Sequence, residues 1–162
     1  MTLLEVDNGA IPSVIKKGEA EIGVVSEPVL TQGIEEGIWS EPIDNIPEEL
    51  GDYAYSTINV KQETIEKDPE TVQLFVDGMM KGLKFIEDEP EAALAIATKK
   101  FPTLDEQLVK ATIDRALADE LWEFTGSITE ESVRTSLSVV ENAGLLKEKI
   151  VFEDIIDLQF LK

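Results

Sequence analysis

The residues of this chain best placed to do chemistry gather at one corner. The apolar run "EIGVV", residues 21–25, stops at Ser26-Glu27-Pro28. A continuous apolar run of this length suits a strand buried on both faces of a parallel sheet. Such a strand would bring the corner to where ligands meet open α/β sheets, beyond the carboxyl ends of the strands. Glu27 can there accept hydrogen bonds from a ligand's amino group or from backbone amides. The same letters also suit a local role, with Ser26 as a helix N-cap, Pro28 early in the helix and Glu27 favouring the positive end of its dipole. The two roles are compatible, because one carboxylate can cap and bind together. Tyr53 and Tyr55 open the alternating stretch "YAYSTINV". Their rings can stack on a flat ligand while their hydroxyls donate, or they can simply pack a strand edge. Asn8, at the end of the strand candidate "TLLEV", is a weaker candidate by the same strand-end rule, with a turn as the alternative. The candidate ligand residues are therefore Asn8, Ser26, Glu27, Pro28, Tyr53 and Tyr55.

What the chain lacks narrows the chemistry further. It has neither cysteine nor histidine, which excludes thiol nucleophiles, zinc–thiolate sites, Ser-His-Asp triads and HExxH metal sites. Catalysis would have to rest on carboxylates, Lys, Tyr or a cofactor, so the expectation is a protein that is not an enzyme, with no metal or cofactor assigned. Thirty-four acidic residues against fourteen basic ones give a net charge of −20, spread along the chain. Such a surface repels phosphates, which argues against nucleic acid and anionic lipid as partners. Only Arg115 and Arg134 offer guanidinium groups, and both fall on predicted helices. An anionic solute would then be met mainly by helix N-termini, whereas an amino-bearing heterocycle fits Glu27 and the tyrosines better.

The elements that would position these groups follow from pattern and punctuation. The length of 162 residues suits one domain able to bury roughly 70% of its unfolded surface. Residues 1–60 read as α/β: strands at "TLLEV", "EIGVV" and "YAYSTINV", with short helices closed by Gly18 and Gly37. The Pro-rich "EPIDNIPEELGD" reads as a connection. From residue 61 the pattern is helical. Asp68 and Pro69 open a long helix as N-cap and first helical residue, with Val72, Phe75, Val76, Met79, Leu83 and Ile86 as its buried stripe. "EPEAALAIATKKF" makes a second helix, and Thr103 with Glu106 a capping box for a third. Ser127 with Glu130 does the same for a fourth, whose stripe is Val133, Leu137 and Val140. Trp39 and Trp122 read as packing anchors, and Met79 and Met80 as core filling.

The succession "GAIPSVIKKGEAEIGVVSEPVLTQGIEEG", then "LGDYAYSTINVKQETIEKDPETVQLFVDGMMKGLKFIEDEPEAALAIATKKFP" and "LWEFTGSITEESVRTSLSVVENAGLLKEKIVFEDIIDLQFL", resembles the substrate-binding proteins of ABC importers. The subgroup is that of nitrate, sulfonates, taurine and thiamine-pyrimidine precursors (SsuA/TauA-like). No single motif carries the likeness; it lies in order and spacing over nearly the whole chain. It implies an α/β, partial type 2 periplasmic-binding-protein fold: the second half of lobe two, plus the returning helical part of lobe one. In those terms residues 1–45 are partial lobe two (βαβα), 46–60 the crossover and return strand, and 61–162 the helical part of lobe one. It also implies a small-molecule solute bound near the Glu-Pro corner, an ABC permease as partner and an extracytoplasmic place of work. "MTLLEVDNGA" lacks a basic region followed by an apolar stretch, so no signal peptide is expected at this start. The family's earlier strands have no counterpart here. A sheet without them would expose its edges, an arrangement that favours pairing with a second copy and gives the alternative expectation of a self-associating homodimer without a competent ligand site. Pyrimidine synthases that share this fold rely on histidine, which the chain lacks.

Overall fold

The computed structural model describes residues 2–161. Among the described residues a single 3-10 turn, Asn8–Ala10, leads into nine α-helices: α1 (Ile11–Lys16), α2 (Val29–Glu35), α3 (Ile46–Leu50), α4 (Gln62–Lys67), α5 (Pro69–Asp88), α6 (Pro90–Lys100), α7 (Glu106–Ala118), α8 (Glu130–Asn142) and α9 (Phe152–Ile155). Among the described residues there is no strand and no sheet. This overturns the α/β expectation and with it the partial type 2 periplasmic-binding-protein fold.

The reason is hydrogen bonding. A helix closes its backbone bonds within one segment, but a strand exists only through a neighbour that takes its N–H and C=O groups. Residues 21–25 find no hydrogen-bond partner among the described residues. Ile22 and Val24, expected inside a sheet, are 68% and 71% exposed. The "YAYSTINV" stretch meets a helix instead. Ala54 N–H donates to the Ser132 carbonyl (3.2 Å), and its own carbonyl accepts from the Ser136 hydroxyl (3.0 Å). Tyr55 N–H turns back to the Tyr53 carbonyl at 2.9 Å.

The chain divides into two compact units. One comprises the segment up to Asp44 with Glu91–Ala118; the other, Asn45–Pro90 with the segment from Asp119 on. In the first unit α2 packs on α7, which contributes the buried Leu108, Val109 and Ala116, while α2 contributes Thr31. The short helices α1 and α2 end where Gly18 and Gly37 adopt the left-handed conformation that stops a helix at low cost. In the second unit Val72 and Val76 of α5 bury Phe160 from the chain's end, with Ile65, Met80 and Leu161 around them. Gln73 Nε2 donates to the Phe160 carbonyl at 2.8 Å and holds that terminal turn in place.

Helix starts are locally coded. Asp68 is the N-cap of α5 and accepts from Thr71 N–H at 3.1 Å, with Pro69 first in the helix. The caps of α8 and α7 lie two residues on from the expected boxes, and only that of α8 is a box. On α8 the box is Thr129 with Ser132, each side chain bonding the other's backbone N–H. At α7 Asp105, not Thr103, accepts from Gln107 N–H at 2.8 Å. The buried stripe of α5 is also rotated: Phe75 and Met79 are exposed, and Met80 turns inward against Gly126.

Two predictions follow from these contacts. Phe160→Ala is expected to lower stability by about 3 kcal/mol, whereas Phe75→Ala, on an exposed ring, should change it by less than about 1 kcal/mol; urea denaturation measures both. The Asp68 carboxyl is held below its ordinary value by hydrogen bonds from Thr71, its hydroxyl first and then its backbone N–H. A carboxyl lowered by folding stabilises above its unfolded range and loses that effect as pH falls through the folded value. Hydrogen exchange in the first turn of α5 should therefore lose protection as the pH drops below 3.8, and Asp68→Asn should remove that acid-dependent part.

Candidate functional site

The corner after residues 21–25 is built where three separate stretches of the first unit meet. Gly23 leans on α1: a Cβ there would stand 2.9 Å from Ile11 Cγ2, so only a bare backbone fits so close. The chain then reaches Ser26, whose carbonyl accepts from Leu30 N–H at 3.2 Å and so opens the α2 ladder. The Glu27–Pro28 peptide is cis, and Pro28 is the residue that precedes the helix. The Ser26 side chain does not cap α2. Its hydroxyl accepts from Asn8 Nδ2 at 3.1 Å, while Ser26 N–H approaches Asn8 Oδ1 at 3.4 Å.

Glu27 takes the capping role. Its Oε2 accepts from Thr31 N–H at 3.2 Å and its Oε1 from the Thr31 hydroxyl at 2.9 Å. This accounts for a buried threonine on α2, because its hydroxyl is satisfied four residues from its partner. Across from it, α7 brings Arg115 Nε to 2.8 Å from Glu27 Oε1. The Nε–H is not aimed along that line and finds no other acceptor, so the contact is one of charge with charge rather than an aligned hydrogen bond. Arg115 Nη2 reaches Glu41 Oε2 at 3.3 Å. The Glu27 side chain is 12% exposed and Arg115 30%, a setting in which salt screens the pair much less than at the open surface.

One more contact braces α2. Gly33 faces the Trp39 indole so closely that a Cβ would fall 2.0 Å from Cζ2. Trp39 Nε1 donates to the Leu30 carbonyl at 3.0 Å. The ring thus packs on α2, as a packing anchor should.

The structure therefore gathers Asn8, Ser26, Glu27 and Pro28 at one place. Tyr53 and Tyr55 belong to the second unit, where their rings stack on each other with centroids 5.9 Å apart and planes 24° from parallel; Tyr55 is exposed. Thr31, Arg115 and Glu41 were not among the expected site residues. Thr31 was legible, four residues on from Glu27 at a helix start. Nothing local ties Arg115 to Glu27. The second unit also carries an open groove of about 470 Å³ lined by Ile58, Val60, Val72, Phe75, Asn59 and three threonines. Among the described residues no cluster of acidic side chains could hold a metal ion, and no helix is long and apolar enough to cross a membrane.

Removing Arg115 should leave a mostly buried carboxylate without its counter-charge. Arg115→Ala is expected to cost about 2 kcal/mol, and Glu27→Gln, which retains hydrogen-bonding capacity toward Thr31, distinctly less; thermal denaturation of the two variants checks the order. Compared with protein-family models, with curated proteins and with solved structures, the chain gives no match.

Proposed function

We propose that this chain is a non-catalytic solute-binding component, or part of one, serving an ABC importer for a small nitrogen- or sulfur-containing solute. One structural observation carries the reading beside the sequence resemblance. Asn8 and Ser26, taken from separate stretches as ligand candidates, hydrogen-bond to each other next to Glu27. Polar side chains converging from different segments are one part of what a small-molecule site needs. The permease partner and the extracytoplasmic place of work come with the resemblance and stand or fall with it.

A specific observation favours a second reading, a self-associating chain without a competent site. Ile22, Val24, Leu3 and Leu4 stand in solvent on segments with no backbone partner among the described residues. Apolar, unpaired backbone of this kind invites a second copy.

Native mass spectrometry of freshly purified protein separates the two. On the first reading a small molecule co-purifies and leaves on activation, or one of a hydroxymethylpyrimidine, an alkanesulfonate, taurine and nitrate binds in calorimetry. A ligand-free dimer that binds none of them would overturn the solute-binding reading in favour of the second.

A further inference from the structure

The resemblance and the sequence together favour a solute whose amino group meets Glu27, but the geometry of the corner points elsewhere. We infer that Arg115 is the resident counter-charge of Glu27, and that the corner consequently selects an uncharged hydrogen-bond acceptor, such as an amide or imide carbonyl, through Asn8 and Ser26. This rests on the solute-binding reading and specifies which chemistry that site takes.

The argument starts from the valence of one carboxylate. Its two oxygens offer about four acceptor positions. Two are filled by the Thr31 N–H and the Thr31 hydroxyl, and the Arg115 guanidinium stands over Oε1 at 2.8 Å as a counter-charge that a competing cation would have to move. With 12% of the side chain exposed, the remainder faces protein. A solute amine would have to displace a guanidinium tethered by the fold, and a tethered group holds its place against a free competitor by effective concentration. An anion is also disfavoured, since Glu27, Arg115 and Glu41 together leave one net negative charge within reach.

Donors remain. Ser26 Oγ accepts from Asn8 and keeps its own proton to give. Asn8 Nδ2 uses one of its two N–H groups on Ser26. Both side chains are exposed, so an acceptor can reach them without disturbing Glu27. The corner thus presents uncommitted donors outside and a neutralised carboxylate behind them.

The test follows side-chain NMR signals of the whole chain with three probes: uracil (neutral), methylammonium (cation) and methanesulfonate (anion). Uracil is expected to shift the Asn8 side-chain amide and leave Arg115 Nε–H unmoved, with methylammonium and methanesulfonate inert. In Arg115→Met, which frees the carboxylate, methylammonium should bind at least about tenfold more tightly than to the unaltered chain. Arg115→Met with Glu27→Gln, which leaves no buried charge unpaired and only the exposed Glu41 without its partner, should lose that gain while staying folded. Methylammonium that displaces the Arg115 Nε–H signal in the unaltered chain, or methanesulfonate that shifts Asn8, would overturn the inference and leave solute binding intact. If no probe moves any signal in any variant, the solute-binding reading itself fails and the pair is architecture alone.

Discussion

A carboxylate with little access to water has to find its hydrogen bonds and its counter-charge inside the protein. Glu27 is in that position, and much of the first unit is arranged around meeting the need. Thr31 supplies two donors from the first turn of α2, which ties the helix start to the residue before its proline. Arg115 supplies the positive charge from α7, which fixes how α7 lies against α2. Glu41, at the guanidinium's other edge, draws the chain after Trp39 to the same place. A helix of seven residues is too short to persist alone in water. It holds because its start is bonded through Glu27 and its middle is covered by the indole of Trp39.

The second unit solves a different problem with different means. Its core is assembled from α5 and the last turn of the chain, with Phe160 filling the space beside Val72 and Val76. The Ser132–Ser136 face of α8 takes both backbone groups of Ala54. That contact holds a stretch rich in β-forming residues without any strand beside it.

This difference explains what could be foreseen from the letters. Helices were legible because their information is local. Asp68-Pro69 caps α5 as written, and the glycines after α1 and α2 mark their ends. Even the misplaced boxes fail by a short step: Thr129 and Ser132 lie two residues on from Ser127 and Glu130, within a run where either start satisfies the same spacing. Strand character was not legible in this sense. "EIGVV" has the composition of a buried strand, but composition cannot supply the neighbour that would accept its hydrogen bonds. The site was half legible on the same grounds. Asn8, Ser26 and Glu27 followed from the strand-end rule and are together, although the strand that motivated the rule is absent. Arg115 could not be foreseen, since it reaches Glu27 only through the packing of α7 on α2.

The indole of Trp39, pressed on Gly33 and hydrogen-bonded to the Leu30 carbonyl, has a use beyond bracing. Each compact unit holds one of the chain's two tryptophans, Trp39 in the first and Trp122 in the second. The protein therefore carries two intrinsic optical reporters, one per unit. The Trp39 signal is tied to the geometry of α2 through a stacked glycine and a single backbone acceptor. With Trp122 replaced by Phe, disorder arising at the Glu27 corner is read from Trp39 alone, and the reciprocal replacement of Trp39 reads the other unit, so the pair of single-tryptophan chains distinguishes one cooperative transition from two.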